Sequence, residues 1–300
     1  MVKTVYNLQA IPKEDETMLP IILMTTTSIT SIVTQNCLHN TVCKKHLTTP
    51  RLIALFNLPV YIVSALIFAF FMFLEGVSLF TVLLGIVFGV VTALANIYKM
   101  RALSSGPMHL TLLITTSSML IPTMSGVFFG EAFSFYKLLA AIVLIFFIYL
   151  SLGKNGNNKI NVKWILFCLL TFLLQGTIGI LQKVHQSSEY KAETGGFLFV
   201  AFLISLVFTF VRVKCNLKGL SGKVTVFAII CGVCTFLMND INLKLSGMLP
   251  SQLFFPLVNG SAFVLSSAMS IVLFKEKLTA KQYIGLVGGI LTLIAICLVP

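Results

Sequence analysis

The sequence predicts an all-α integral membrane protein: ten transmembrane helices arranged as two five-helix inverted-topology repeats. Three observations predict it. Hydrophobic residues make up 57% of the chain and charged residues 10%, where a soluble domain carries about 25% charged residues. The apolar residues fall in blocks of roughly 20, the length that crosses a hydrocarbon core. And the chain repeats itself: GVVTALAN at 89–96 returns as GVCTFLMN at 232–239.

The elements follow in order. Residues 1–17 read as a soluble tail. Pro12 and the run Glu14, Asp15, Glu16 interrupt it before any apolar stretch begins, unlike a signal peptide. Apolar blocks at 18–37, 51–73, 78–99, 107–129 and 135–152 form the first repeat. GKNGNNK, at 153–159, has no apolar residue, so 153–162 reads as a linker. The second repeat, 163–300, has blocks at 163–182, 195–213, 223–243, 249–274 and 281–299.

The net charge is +12. Most Lys and Arg lie between blocks, where they orient the chain and meet anionic headgroups. The charge therefore points to membrane lipid and not to nucleic acid. The loops after blocks 1, 3, 5, 7 and 9 hold 15 of the 21 Lys and Arg. By the positive-inside rule those loops are cytoplasmic and both termini lie outside. The end at Val299 and Pro300 offers no tail for a retrieval signal, which favours the cell membrane.

A second repeated element supports duplication. GEAFSFYKLLAA, from 130, answers KEKLTAKQYIGL, from 275: Glu131 matches Glu276, Ser134 matches Thr279, and Ala140 matches Gly285. Five helices is an odd number, so the second copy enters the membrane from the opposite side. Such halves suit alternating access around a site near the midplane. Ser134 and Thr279 read as N-caps, and Thr279 with Gln282 has capping-box spacing. Glu131 and Glu276 read as structural residues at the membrane edge.

Within the first repeated stretch, Gly85, Gly89, Thr92 and Asn96 share one helix face, as do Ala228, Gly232, Thr235 and Asn239. Small residues let two backbones approach closely, and Thr and Asn hydrogen-bond across a helix pair. Two readings stay open: packing alone, or Asn96 and Asn239 lining a cavity.

The whole chain resembles the EamA-type transporters of the drug/metabolite transporter superfamily. The resemblance rests on a small residue and Pro, a Ser/Thr-rich helix, then [GK]-E-x-x-[ST] and a Gly/Ala-rich helix. These occur over 104–141 and again over 246–289. The resemblance implies a ten-helix carrier with a central cavity, for substrates ranging from amino acids to nucleotide sugars and drugs. The small multidrug-resistance relatives use an acid in their first helix. Residues 20–37 contain none.

Candidate substrate contacts are neutral. Asp240 is the only acid placed within a block, near its end, so a neutral lining suited to neutral or zwitterionic solutes is expected. Block 4 supplies Thr115 and Ser118 beside Pro122; block 9 supplies Asn259 and Ser261 beside Pro256. Pro frees a backbone carbonyl, which is tolerated in a membrane only against protein or a cavity. Gln35, Gln175, Asn96 and Asn239 complete the set. The competing reading is that Ser and Thr bond back to their own helices and Asn holds helices together.

Other motifs carry less. CGVC at 231–234 has redox spacing but lies in an apolar block, where Cys acts as a small hydrophobe. Cys37, His39, Cys43 and His46 match no standard zinc module and read as a headgroup-level loop. His109 and His185 are single. No catalytic residue, metal site or cofactor is expected. The expected activity is secondary transport of a small polar metabolite or drug, by an exporter or exchanger, with a proton or counter-substrate as coupling partner. The alternative is an integral-membrane enzyme acting on a lipid-linked substrate.

Overall fold

In a computed structural model, residues 14–47, 49–131, 135–151, 162–213, 217, 219–276 and 278–298 are described. Most of the 1–17 tail, nearly all of the 153–162 linker, and Ser134 fall outside them. The described residues are helical almost throughout, with no strand among them. The helices are α1 (Glu14–Lys45), α2 (Pro50–Glu75), α3 (Leu79–Ser105), α4 (Met108–Phe129) and α5 (Phe135–Ser151). They continue as α6 (Val162–Gln186), α7 (Thr194–Val213), α8 (Gly222–Met248), α9 (Ser251–Val272) and α10 (Ala280–Leu298).

Among the described residues, eight helices, α1–α4 and α6–α9, are long and apolar enough to cross a membrane. Their outer faces are apolar as well. Leu66, Phe70 and Phe73 of α2, Leu83 and Val87 of α3, and Val207 and Phe210 of α7 are all exposed. Apolar surface on this scale is unsuited to water and suited to lipid. These are the properties of a multi-pass membrane protein.

Local chemistry sets the helix ends. Thr49 accepts from Leu52 N–H, with Pro50 at the first helical position of α2. Ser78 accepts from Thr81 N–H at the start of α3. Before α10, Thr279 N–H donates to Gln282 Oε1 at 3.0 Å and Gln282 N–H to Thr279 Oγ1 at 3.4 Å, the capping box expected from its spacing. Gly130 closes α4 at φ 81°, a conformation that side chains with a Cβ avoid.

The packing is reciprocal. α3 lies against α6 and α7, while α8 lies against α1 and α2; α2 pairs with α7, and α5 with α10. Exchanging the first five helices for the last five leaves these pairings unchanged. The repeated glycines sit at the closest approaches. A Cβ on Gly89 would collide with the Ala201 carbonyl and Ile204, and one on Gly232 with Val63 and the Val60 carbonyl. Ser205 Oγ donates to the Gly89 carbonyl at 2.8 Å, and Ser64 Oγ to the Gly232 carbonyl at 3.0 Å. The glycine ends of both stripes therefore pack helices.

Gly89→Val and Gly232→Val should each destabilise the folded protein by about 1–3 kcal/mol through overpacking. Ser64→Ala and Ser205→Ala should each cost about 0.6 kcal/mol, a typical value for a hydrogen bond in a membrane. Unfolding in detergent, followed by the fluorescence of the single tryptophan, Trp164, measures all four. The reciprocal packing requires similar costs within each pair.

Candidate functional site

A cavity of about 150 Å³ lies among α1, α3, α4, α6, α8 and α9, three helices from each half. Seven of the sequence-selected residues line it: Gln35, Asn96, Thr115, Ser118, Gln175, Asn239 and Asn259. Ser261 does not. It is half-buried outside the wall, and Ala262 is in the wall instead. The reason is spacing: residues two apart on a helix lie on different faces, and the wall takes Phe255, Asn259 and Ala262 at steps of four and three. α9 also passes through a π turn at Pro256–Gly260.

α4 also departs from regular geometry at the cavity. It is α-helical to Thr116, tightens to 3₁₀ over Ser117–Met119, and resumes at Leu120, just before Pro122. Both irregular turns thus border the cavity, where irregular backbone is tolerated at membrane depth. Gly179 of α6 lets Pro122 and Phe255 come close, because a Cβ there would overlap both.

Several lining groups already have partners. Thr115 Oγ1 donates to the Thr111 carbonyl at 2.9 Å, and Asn239 Nδ2 to the Thr235 carbonyl at 2.8 Å, both within their own helices. Asn259 Nδ2 donates to the Phe255 carbonyl at 3.1 Å. Asn96 Nδ2 reaches Tyr61 Oη at 2.9 Å, and Gln35 Nε2 reaches Thr235 Oγ1 at 2.6 Å. The back-bonding and helix-joining roles are therefore real, and the same side chains also face the cavity. The repeated stripe divides likewise: its glycines pack, while Thr92, Asn96, Thr235 and Asn239 line the cavity.

The charged residue of the wall is not among the sequence-selected residues. The third block ends at Lys99. α3 continues to Ser105, and Lys99 is buried in the cavity wall, 8% exposed. Its Nζ donates to Asn36 Oδ1 at 2.7 Å, and Asn36 Nδ2 donates on to Ser266 Oγ at 3.0 Å. Among its described residues the wall contains no Asp or Glu, so a neutral lining is replaced by a singly cationic one. A signal was present: Lys99 continues the spacing of Gly85, Gly89, Thr92 and Asn96 by three residues.

α1 is also longer than its apolar block, running to Lys45. The supposed headgroup-level loop is therefore helix. His39, Asn40 and Cys43 are buried, and the His39 ring nitrogens and the Asn40 amide have no hydrogen-bond partner. Among the described residues, no three His, Cys, Asp or Glu side chains converge as metal ligands. Asp240 lies outside the cavity wall and pairs with Lys244 at 2.8 Å.

Each end of the α4–α9 pair is tied by a carboxylate. Glu276, just after α9, accepts from Lys44 Nζ at 2.8 Å, from Met108 N–H at 2.8 Å and from His109 N–H at 3.2 Å. It also lies 2.8 Å from His109 Nδ1. Glu131, just after α4, accepts from Lys183 Nζ, Ser251 N–H and Ser251 Oγ, each at 2.9 Å. Each acid thus joins the start of a helix in the opposite half to a lysine of that half. The two clamps are separated by the length of α4, 22 residues, or about 33 Å. The cavity lies between them.

No family model matches the chain, and no curated protein matches it. Solved structures do match. One, described only as "Crystal structure of protein", superposes with a TM-score of 0.63 at 14% identity, over 91% of this chain and 96% of its own. At that identity the likeness shows the fold alone.

Burial raises the pKa of Glu276. Hydrogen bonds from His109, Lys44 and Met108 N–H outweigh burial and bring it down to about 2. The folded value lies below the unfolded one, so the stabilisation is fully present above about pH 4.5 and is lost as the pH falls toward 2. Glu276→Gln should therefore melt below the wild type at neutral pH. The gap should close between about pH 4.5 and 2, as read by midpoints measured in parallel.

Proposed function

We propose that the chain is a secondary carrier: two inverted five-helix repeats, ten spans in all, move a small polar solute by alternating access. The observation that carries this reading is the cavity. It is polar, draws three helices from each half, lies between irregular turns of α4 and α9, and has a cross-half clamp at either end. Inverted repeats with binding sites at broken helices are a recurrent carrier design. The reciprocal helix pairings support the repeat, and the EamA-type resemblance agrees with it.

On this reading the seven lining residues, Gln35, Asn96, Thr115, Ser118, Gln175, Asn239 and Asn259, contact the solute. The clamps of Glu131 and Glu276 alternate, each closing one end while the other opens. α1 supports the assignment of a path. Its polar face continues past Gln35 and Asn36 through His39, Asn40 and Cys43 to Lys44, which pairs with Glu276. Burying unpaired polar groups is costly. A path that fills with water when the Glu276 end opens would satisfy His39 and Asn40. An exporter or exchanger in a cell membrane, coupled to a proton or a counter-substrate, is the form we favour.

Two measurements test this. Purified protein in liposomes should exchange internal for external labelled solute drawn from a mixed metabolite pool. If no solute of a broad pool exchanges, the carrier reading falls and an enzyme acting on a lipid-linked substrate takes its place. In a protein whose only cysteine is Cys43, Glu276→Gln should speed alkylation by N-ethylmaleimide, because it loosens the clamp over the path. Glu131→Gln should not. Equal rates in the wild type and Glu276→Gln would remove Cys43 from the path.

A further inference from the structure

We propose that the cavity selects a small organic monoanion, with its carboxylate held at Lys99 Nζ. This names the substrate class of the carrier site and rests on that reading.

Lys99 is the only charged residue among the described residues of the cavity wall. It forms none of the ion pairs found among the described residues; its partner is the neutral Asn36 Oδ1 at 2.7 Å. A buried charge is ordinarily paired, because unpaired it costs several kcal/mol. Lysine has three donor hydrogens, and one hydrogen bond to Asn36 leaves donor capacity facing the cavity. Two turns earlier on the same face of α3, Thr92 Oγ1 is also in the wall. It is 7% exposed and has no hydrogen-bond partner. Asn96, between them, completes one polar strip.

The charge count decides the valence. A monoanion neutralises Lys99 and leaves the wall without net charge. A phosphate dianion or a dicarboxylate would leave one negative charge uncompensated against that wall, since no second cation lies among its described residues. A cation would meet Lys99 with no acid to receive it. The volume, about 150 Å³, is that of a cavity able to enclose a benzene-sized molecule. The amides of Gln35, Asn36, Asn96, Asn239 and Asn242, all in the wall, give such an acid polar contacts beyond its carboxylate.

The repeat sharpens the assignment. Lys99 corresponds to Asn242 in the second half, at the same 143-residue offset as the repeated stretch. Asn242 Oδ1 accepts from Ser28 Oγ, so the second-half position is a neutral helix contact. The cation breaks an otherwise paired pattern, which places the carboxylate head nearer α1 and α3 than their counterparts.

The experiment compares acids with their uncharged isosteres. Lactate, glycerate and benzoate, their amides, and the dianions malonate and phosphate are added to purified protein at constant ionic strength. The melting midpoint is followed through Trp164. At least one monoanion should raise the wild-type midpoint saturably, its amide should not, and both dianions should act more weakly. Lys99→Met should weaken that monoanion's binding roughly 10- to 100-fold, the loss expected for a charge-assisted hydrogen bond. Lys99→Arg should keep part of it.

An amide that binds as well as its acid, a dianion that binds better, no response to any monoanion, or full binding by Lys99→Met would each overturn the proposal. The wild-type comparison of acid with amide decides the matter even if Lys99→Met fails to fold. Counterflow in liposomes separates the two readings. An acid that binds at Lys99 but never crosses would sink the carrier and keep the anion site. Exchange of an amide, unchanged in Lys99→Met, would keep the carrier and sink the anion site.

Discussion

In hydrocarbon a polar group must find its partner inside the protein, and the rest of this fold depends on that constraint. Two serine hydroxyls, Ser64 and Ser205, each bridge to a glycine carbonyl of the opposite half. They do so because glycine brings the backbones close enough for a side-chain oxygen to reach. The small residues are thus the condition for these two polar contacts. Lipid tails are as apolar as leucine, so apolar burial contributes little between the helices. Close approach and hydrogen bonding must hold them together, and at Gly89 and Gly232 the two occur at one point.

The same constraint shapes the helix ends. α4 and α9 start with unsatisfied N–H groups. Glu276 takes the first two of α4, and Glu131 takes the first of α9. Because each acid comes from the other half, capping a helix and joining the halves are one interaction. The lysines then balance the carboxylates. Such a junction is strong while dry and weak once water enters, since water competes for every donor in it. The geometry suits a contact that forms and breaks without changing the helices themselves.

Much of this was legible in the sequence, and what was not has physical causes. The repeated GVxTxLxN stretch spans both the helix seam and the cavity wall, because glycine and asparagine at helical spacing serve both ends of one stripe. The capping box at Thr279 and Gln282 was readable from side-chain reach alone. Ser261 lies outside the wall because it is two residues from Asn259, and on a helix that spacing puts the two on different faces. Lys99 ends the third block, and His39 and Asn40 fall past the end of the first, because hydropathy ends a helix where polar residues start. Here the polar residues belong to the interior. A membrane helix that lines water or solute loses its hydropathy signal at the positions of greatest interest, so their absence from an apolar block is itself informative.

The two halves diverge in an instructive place. Gly89 and Gly232, Thr92 and Thr235, and Asn96 and Asn239 keep their identities, and the next position on the stripe does not: Lys99 corresponds to Asn242. Positions that set the distance between backbones are constrained in each half, because α3 against α7 and α8 against α2 each bring a glycine onto a facing carbonyl. A position facing the cavity is constrained only by what occupies it. One molecule bound between two halves touches each half with different atoms, so wall positions that match in sequence need not carry the same group. A single cation in a wall drawn from both halves therefore fits an occupant with a charged end and an uncharged end.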